Sequence, residues 1–330
     1  MVCSAQFRTF VSKLQLSDRQ VGRIESAASG LTSALAKHFE IPERNIFLQG
    51  SFANGSAVKP APSRGGEYDV DLVVNGPFQD LTPADALSKM RRALRSCGYG
   101  EHIKRDHSGE RPCVRLEYAA DSETVAFHVD VVPARPYWLL TVAPLEVPKP
   151  AAGDWKATAP AEYTRWARRQ GAAYIRVVQI LKRWRDENQS ARSAVKSITL
   201  QVMIANHINA ETTGTYSSDA ARVVAALRGV SNDLAFYPLS APTVGNPVLE
   251  DENLAASWPD ADYQRFRRVV ENAAEAAEKA EAENTTSAST KLWSRLLGSD
   301  FPVVEEQQAS LPVPAVGPRT SQEAPRSQWA

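Results

Sequence analysis

The sequence predicts an α+β protein, a mixed sheet carrying helices followed by a helical C-terminal lobe. Three observations carry this reading. Residues 68–74 and 125–131 alternate at a period of two, which is the period of a strand. Residues 4–39, and most of the chain after residue 160, repeat their apolar positions at helical spacing instead. From Pro302 onward the composition turns to Pro, Gln, Ser, Glu and Thr, too polar to build a core. The expected division is 1–158 for the sheet-bearing core, 159–302 for the helical lobe and 303–330 for a disordered tail.

In chain order, Phe7, Phe10, Val11 and Leu14 make one helical face, and Val21, Ile24, Ala28, Leu31, Leu35 and Phe39 make a second. Ser17-Asp18 between them is suited to cap a long helix. Residues 41–48 are expected as the first core strand, leading into Gly50-Ser51, and residues 60–66 read as a loop carrying a solvated Arg64. Residues 82–97 form an amphipathic helix, with Thr82 as cap and Pro83 at its first position. Residues 112–118 and 124–132 read as a hairpin.

Residues 133–160, rich in proline and small residues, are expected as a linker crossing the site, with Tyr137, Trp138 and Trp155 anchoring it to the core. Residues 161–188 read as one helix with a buried apolar face and a largely solvated basic face. Further helices are expected over 193–209, over 269–283 on the surface, and over 292–297 with a stop at Gly298.

Lysine plus arginine balance aspartate plus glutamate at 38 each, so no global field draws the chain to long nucleic acid or to an anionic membrane. Cys3, Cys97 and Cys113 are sparse, odd in number and without metal-ligand spacing, which reads as reduced thiols. The N-terminal residues lack the apolar core of a signal peptide, and no apolar run is long enough to cross a bilayer. A cytoplasmic location is expected.

The chemistry is concentrated in two places. Asp69 and Asp71 share a face of one strand, and Asp130 lies on a second alternating strand. Neighbouring carboxylates raise each other's pKa, and a hard divalent cation relieves that repulsion. Gly50-Ser51 follows the apolar run Ile46, Phe47 and Leu48, where a strand giving way to a helix start leaves N–H groups free for phosphate oxygens. Three carboxylates facing such a cradle make a two-metal phosphoryl-transfer site.

Gly50-Ser51, Asp69-x-Asp71 and the later Asp130 together resemble the polymerase-β-like nucleotidyltransferases. The words LQGSFANGSAVKP, EYDVDLVV, HVDVVPA, LKRW and LWSRLLGSDFP are similar to the bacterial cyclic-oligonucleotide synthases over roughly residues 8–302. Those enzymes, SMODS-type CD-NTases related to cyclic GMP–AMP synthase and oligoadenylate synthase, act in CBASS anti-phage defence. The resemblance implies a polymerase-β-like core joined to a helical lobe by a long N-terminal spine helix.

It also implies synthesis of a cyclic di- or trinucleotide from NTPs with release of pyrophosphate, using Mg²⁺ or, as the alternative ion, Mn²⁺. Asp69, Asp71 and Asp130 are then catalytic and metal-binding, and Gln49, Gly50, Ser51, Lys182, Lys196 and Ser197 hold the substrate. The cyclic product acts on a downstream effector. The family's DP-x-x-x-x-N loop has Asn246 in place of its usual aspartate here, which removes a charge. In some of these systems a partner with ubiquitin-type E1 and E2 activities conjugates the synthase C-terminus, and the tail ending at Ala330 looks like such a substrate. The alternative is a nucleotidyltransferase that modifies RNA or a protein.

Overall fold

The computed structural model describes residues 3–61, 66–104, 111–122, 124–137 and 144–305. Arg64, Trp138 and Ala330 lie outside the described residues.

Two helices open the chain, α1 (Ser4–Leu14) and α2 (Asp18–Phe39). The Ser17 hydroxyl accepts from the Gln20 N–H while the Gln20 side chain accepts from the Ser17 N–H, a reciprocal cap that starts α2. The expected spine is therefore two helices, and they serve different cores. Phe7, Phe10 and Leu14 of α1 pack with the helical lobe, whereas Ile24, Leu31 and Leu35 of α2 pack against the sheet.

The sheet begins with β1 (Ile46–Gln49), shorter than the sequence predicts because residues 43–45 form a 3₁₀ turn. A four-residue helix, α3 (Gly50–Ala53), separates it from β2 (Tyr68–Asn75). After α4 (Pro83–Ser96), capped by Thr82 as expected, come β3 (Val114–Tyr118) and β4 (Phe127–Pro136). The strand order is β1-β2-β4, with β3 also on β4; β2 and β4 run parallel and the other pairs antiparallel. Tyr68, Phe127 and Tyr118 stack across β2, β4 and β3 at centroid distances of 5.3 and 4.7 Å, and aromatic cross-strand contacts of this kind pin the register.

Residues 145–158 are not a linker. They form a hairpin, β5 (Leu145–Lys149) and β6 (Asp154–Thr158), that extends the sheet from the end of β4. Pro148 sits where β5 has already left β4, so its missing N–H breaks no ladder bond on that side. Trp155 is an anchor, as expected: its Nε1 donates to Leu81 O at 3.1 Å and the Arg135 guanidinium lies 4.3 Å over its ring.

The helical lobe holds α5 (Pro160–Arg169), α6 (Ala172–Glu187), α7 (Gln189–Arg192), α8 (Ser197–Ala205) and α9 (Asp219–Ala235). The single helix expected over 161–188 is broken at Gly171, whose φ of 92° lies in the left-handed region. A small hairpin, β7 (Gly245–Asn246) and β8 (Leu249–Asn253), precedes α10 (Asp260–Ala282) and α11 (Thr286–Leu297). Helix α10 is longer than predicted and is no surface helix. Tyr263, Phe266, Val270 and four alanines are buried, the alanines letting neighbouring helices approach closely. Gly298, at φ 95°, ends α11 as predicted.

Candidate active site

The strand pairing builds the site in rows. Asp71 on β2 has Asp130 beside it on β4 and Gln49 beside it on β1, while Asp130 has Arg115 beside it on β3. One row across four strands therefore reads Gln49, Asp71, Asp130, Arg115. The next row places Asp69 beside His128. The opposite face of the same strands carries Val70, Leu72, Val129 and Val131 into the core under α2 and α4. Alternation along the strands thus assigns polar side chains to the cleft and apolar ones to the core.

The three aspartates expected from the sequence are together, in unequal surroundings. Asp69 faces the His128 imidazole, whose hydrogen bond holds its carboxyl below the usual carboxylate range against the opposing effect of burial. Burial favours neutral His128, but the bond to Asp69 and its charge outweigh this and raise the imidazole pKa. Asp130 accepts from Arg115 through both oxygens. Asp71 has no ion-pair partner among the described residues, and burial, then the charges of Asp130 and Asp69, push its carboxyl up to about 6.

Among the described residues no group of three or more His, Cys, Asp or Glu stands ready-made as a metal centre. The donor chemistry nevertheless fits a hard divalent cation. Asp130 and Asp69 each lie close enough to Asp71 for their charges to raise its pKa, a repulsion that a cation relieves.

Gly50 has φ 70°, and a Cβ there would lie 2.3 Å from Asp71 Oδ2. Glycine at this position lets the turn after β1 close directly onto the central carboxylate. Gln49, Gly50, Ser51, Asp69, Asp71, Lys182, Lys196 and Ser197 all line one cleft of about 1180 Å³ between the sheet and the helical lobe. Asp130 stands beside Asp71, off the cleft wall.

The predicted phosphate-binding residues are tied to the protein itself. Lys182 is buried, donates from Nζ to Ser56 O at 2.9 Å, and has its pKa lowered to about 8 by desolvation, with nearby Arg185 contributing. It belongs to a row on α6. Gln179 donates to the carbonyls of Gly55 and Ala57, and Arg183 to those of Lys59 and Pro60. Ser197 opens α8 and accepts from Arg185 Nη1 at 2.5 Å, and Lys196 donates to Ser257 Oγ at 3.2 Å.

The solvated basic face expected on this stretch is largely paired. Arg183 is 1% exposed and joins Asp300, Arg176 pairs with Asp219, and Arg185 pairs with Asp186. Asn246 keeps a structural role without charge: its Nδ2 donates to Glu252 Oε2 at 2.5 Å and its Oδ1 accepts from the Val248 N–H at 3.0 Å.

Arg115, His128, Arg185 and Glu252 were not legible as site residues. Each acts through a partner distant in sequence or through strand register. The polar positions of the alternating strands, His128 and Arg115, were the one signal present.

Residues 1–170 match the family model described as "Second Messenger Oligonucleotide or Dinucleotide Synthetase domain". The chain belongs to this family. It is a nucleotidyltransferase with a polymerase-β-like fold, of the CD-NTase type. Two curated relatives are each 25% identical over 92% of the chain. They are the cyclic AMP-AMP-AMP synthase of an Acinetobacter species, 86% of which is covered, and the cyclic AMP-AMP-GMP synthase of Enterobacter hormaechei, 93% of which is covered. The solved structure of E. coli MS115-1 CdnC with ATP superposes with a TM-score of 0.67 at 16% identity, covering 91% of this chain and 98% of that one. Family membership also makes metal-dependent nucleotidyl transfer from NTPs the chain's general chemistry. Among the described residues no helix is long and apolar enough to cross a membrane.

Proposed function

We propose that this chain builds a cyclic trinucleotide second messenger in anti-phage defence, with ATP among its substrates. The observation that carries the reading is Asp71 in the wall of the cleft with Asp69 and Gly50, and Asp130 paired beside it on the next strand. Its volume of about 1180 Å³ exceeds the roughly 300–1,000 Å³ of a single small-molecule site, leaving room for donor and acceptor together. The two curated relatives are named for three-nucleotide products rich in AMP, which supports a ring of three and adenine as a base.

Asp69, Asp71 and Asp130 would hold Mg²⁺, with Mn²⁺ as the alternative ion. When bound, such cations lower the pKa of an attacking hydroxyl and neutralise a leaving pyrophosphate. Gln49, Ser51, Lys196 and Ser197 orient the donor triphosphate from the two sides of the cleft. Gly50 lets the turn meet Asp71 without a side chain between them, and Lys182 presents a compact charge from beneath. Attack on the α-phosphorus gives a linear intermediate, and further turns in the same cleft extend and close it. The catalytic unit spans 1–158 and the helical lobe 159–302.

Incubation with labelled NTPs and Mg²⁺ or Mn²⁺, then phosphatase treatment and mass spectrometry, tests this. A small phosphatase-resistant product lost in Asp69→Ala is the expected result. Labelled polymer or labelled protein would overturn it in favour of an RNA- or protein-modifying transferase.

A further inference from the structure

The third aspartate of the trio is already engaged. Arg115 donates Nε to Asp130 Oδ1 and Nη2 to Asp130 Oδ2, each at 2.7 Å. The two residues are register partners on adjacent antiparallel strands, so backbone pairing aims the guanidinium at the carboxylate. Their side chains are 21% and 13% exposed, which places the pair where solvent screens it only in part. A two-pronged guanidinium–carboxylate pair of this kind fixes the plane of the acid as well as its charge.

Both Asp130 oxygens therefore already face a guanidinium, while Asp71 beside it has no such partner among the described residues. A divalent cation ligated by Asp130, whether it displaces an arm of the fork or uses the remaining lone pairs of the carboxylate, has to sit close to a fixed positive charge. Arginine does not deprotonate to relieve that opposition.

We propose that Arg115 is a positioning residue and a competitor for the cation. It holds Asp130 in its working plane and keeps the resting site's cation affinity low, so that loading waits for the negative charge of the nucleotide phosphates. The inference rests on the reading of Asp130 as a cation ligand. It ties cation entry to substrate entry through one strand-to-strand pair.

Mn²⁺ binding to the full chain without nucleotide, followed by electron paramagnetic resonance, tests it directly. Arg115→Met should bind Mn²⁺ about tenfold more tightly than the unsubstituted protein, with Arg115→Lys between the two, because lysine keeps the charge and loses the fork. Adding a non-hydrolysable ATP analogue should narrow the gap. Turnover reads the positioning role: kcat should fall in Arg115→Met with the NTP KM nearly unchanged, and Arg115→Lys should restore part of it.

Asp130→Asn distinguishes the two levels of the argument. If Asp130→Asn weakens Mn²⁺ binding but Arg115→Met, folded by circular dichroism, binds no more tightly, the competition is wrong and the aspartate site stands. If Asp130→Asn leaves Mn²⁺ binding unchanged, both fall. Should Arg115→Met fail to fold, an Arg115→Lys affinity equal to that of the unsubstituted protein overturns the proposal.

Discussion

Glu252 on β8 meets the Lys156 ammonium on β6 at 2.5 Å, joining the helical lobe's hairpin to the last strand of the sheet across the cleft. Asn246 supports the same carboxylate from behind. An aspartate at 246 would set a second negative charge against Glu252, so the departure from the family's loop pattern leaves Glu252 free to bridge the lobes.

This bridge should retain a linear intermediate between turns. Lys156→Glu or Glu252→Lys should raise the ratio of released linear to cyclic product about two- to fivefold, the scale of a partly exposed ion pair. The double swap should return the ratio toward that of the unsubstituted protein. Mass spectrometry of the products at low and high salt checks both statements, since screening weakens the pair.

Gly50→Ala should abolish pyrophosphate release and destabilise the protein by about 1–3 kcal/mol, because φ 70° is strained for alanine and its Cβ would strike Asp71. Gly22→Ala in α2 is the control. Nothing lies within 4 Å of a Cβ there, and the change should stabilise the helix by roughly 0.5–1 kcal/mol. Melting curves and a pyrophosphate assay on both variants decide it.

Asp71→Asn should stabilise the cation-free protein while removing activity. Between the ordinary carboxylate value of 3.8 and about 6, folded Asp71 keeps a proton that the unfolded chain has lost. Its contribution is favourable to folding below that window and is lost as pH rises through about 6. At pH 7 the cost amounts to roughly 3 kcal/mol, about half of which develops between pH 5 and pH 7.5, and urea denaturation at those two pH values should show that fall in the unsubstituted protein and not in the variant.

Lys182 has the opposite sign. Between about 8 and 10.5 the unfolded chain holds a proton that folded Lys182 has released, so this group's contribution rises with pH across that window. Lys182→Met should lack that rise, about 3 kcal/mol at full extent, in denaturation series at pH 7.5 and 9.5. Saturating ATP analogue should suppress it in the unsubstituted protein by stabilising the charged ammonium.

The aspartate trio, the Ser17 and Thr82 caps and the Gly298 stop were legible because each is written in local periodicity or in one backbone requirement. The pairings of Arg115 with Asp130 and His128 with Asp69 were not, because they depend on which strand lies beside which and in what register. The alanines of α10 looked like surface and proved to be close packing. The single helix expected over 161–188 ended at Gly171, whose positive φ no periodicity signals. Composition misread residues 145–158 because Pro148 sits inside β5, opposite Trp155 of β6, at a point where β5 has already left β4.

Gln179, Lys182 and Arg183 hold residues 55–60 entirely by main-chain oxygens. Helix α6 therefore grips the path of that segment and is indifferent to the side chains along it. The side chain at Ala57, in the wall of the cleft, is therefore free to change, and so to retune what the cleft accepts, without disturbing the grip. The helix positions doing the holding have no such freedom, since a shorter or uncharged side chain at 182 or 183 strands carbonyls that no neighbour replaces.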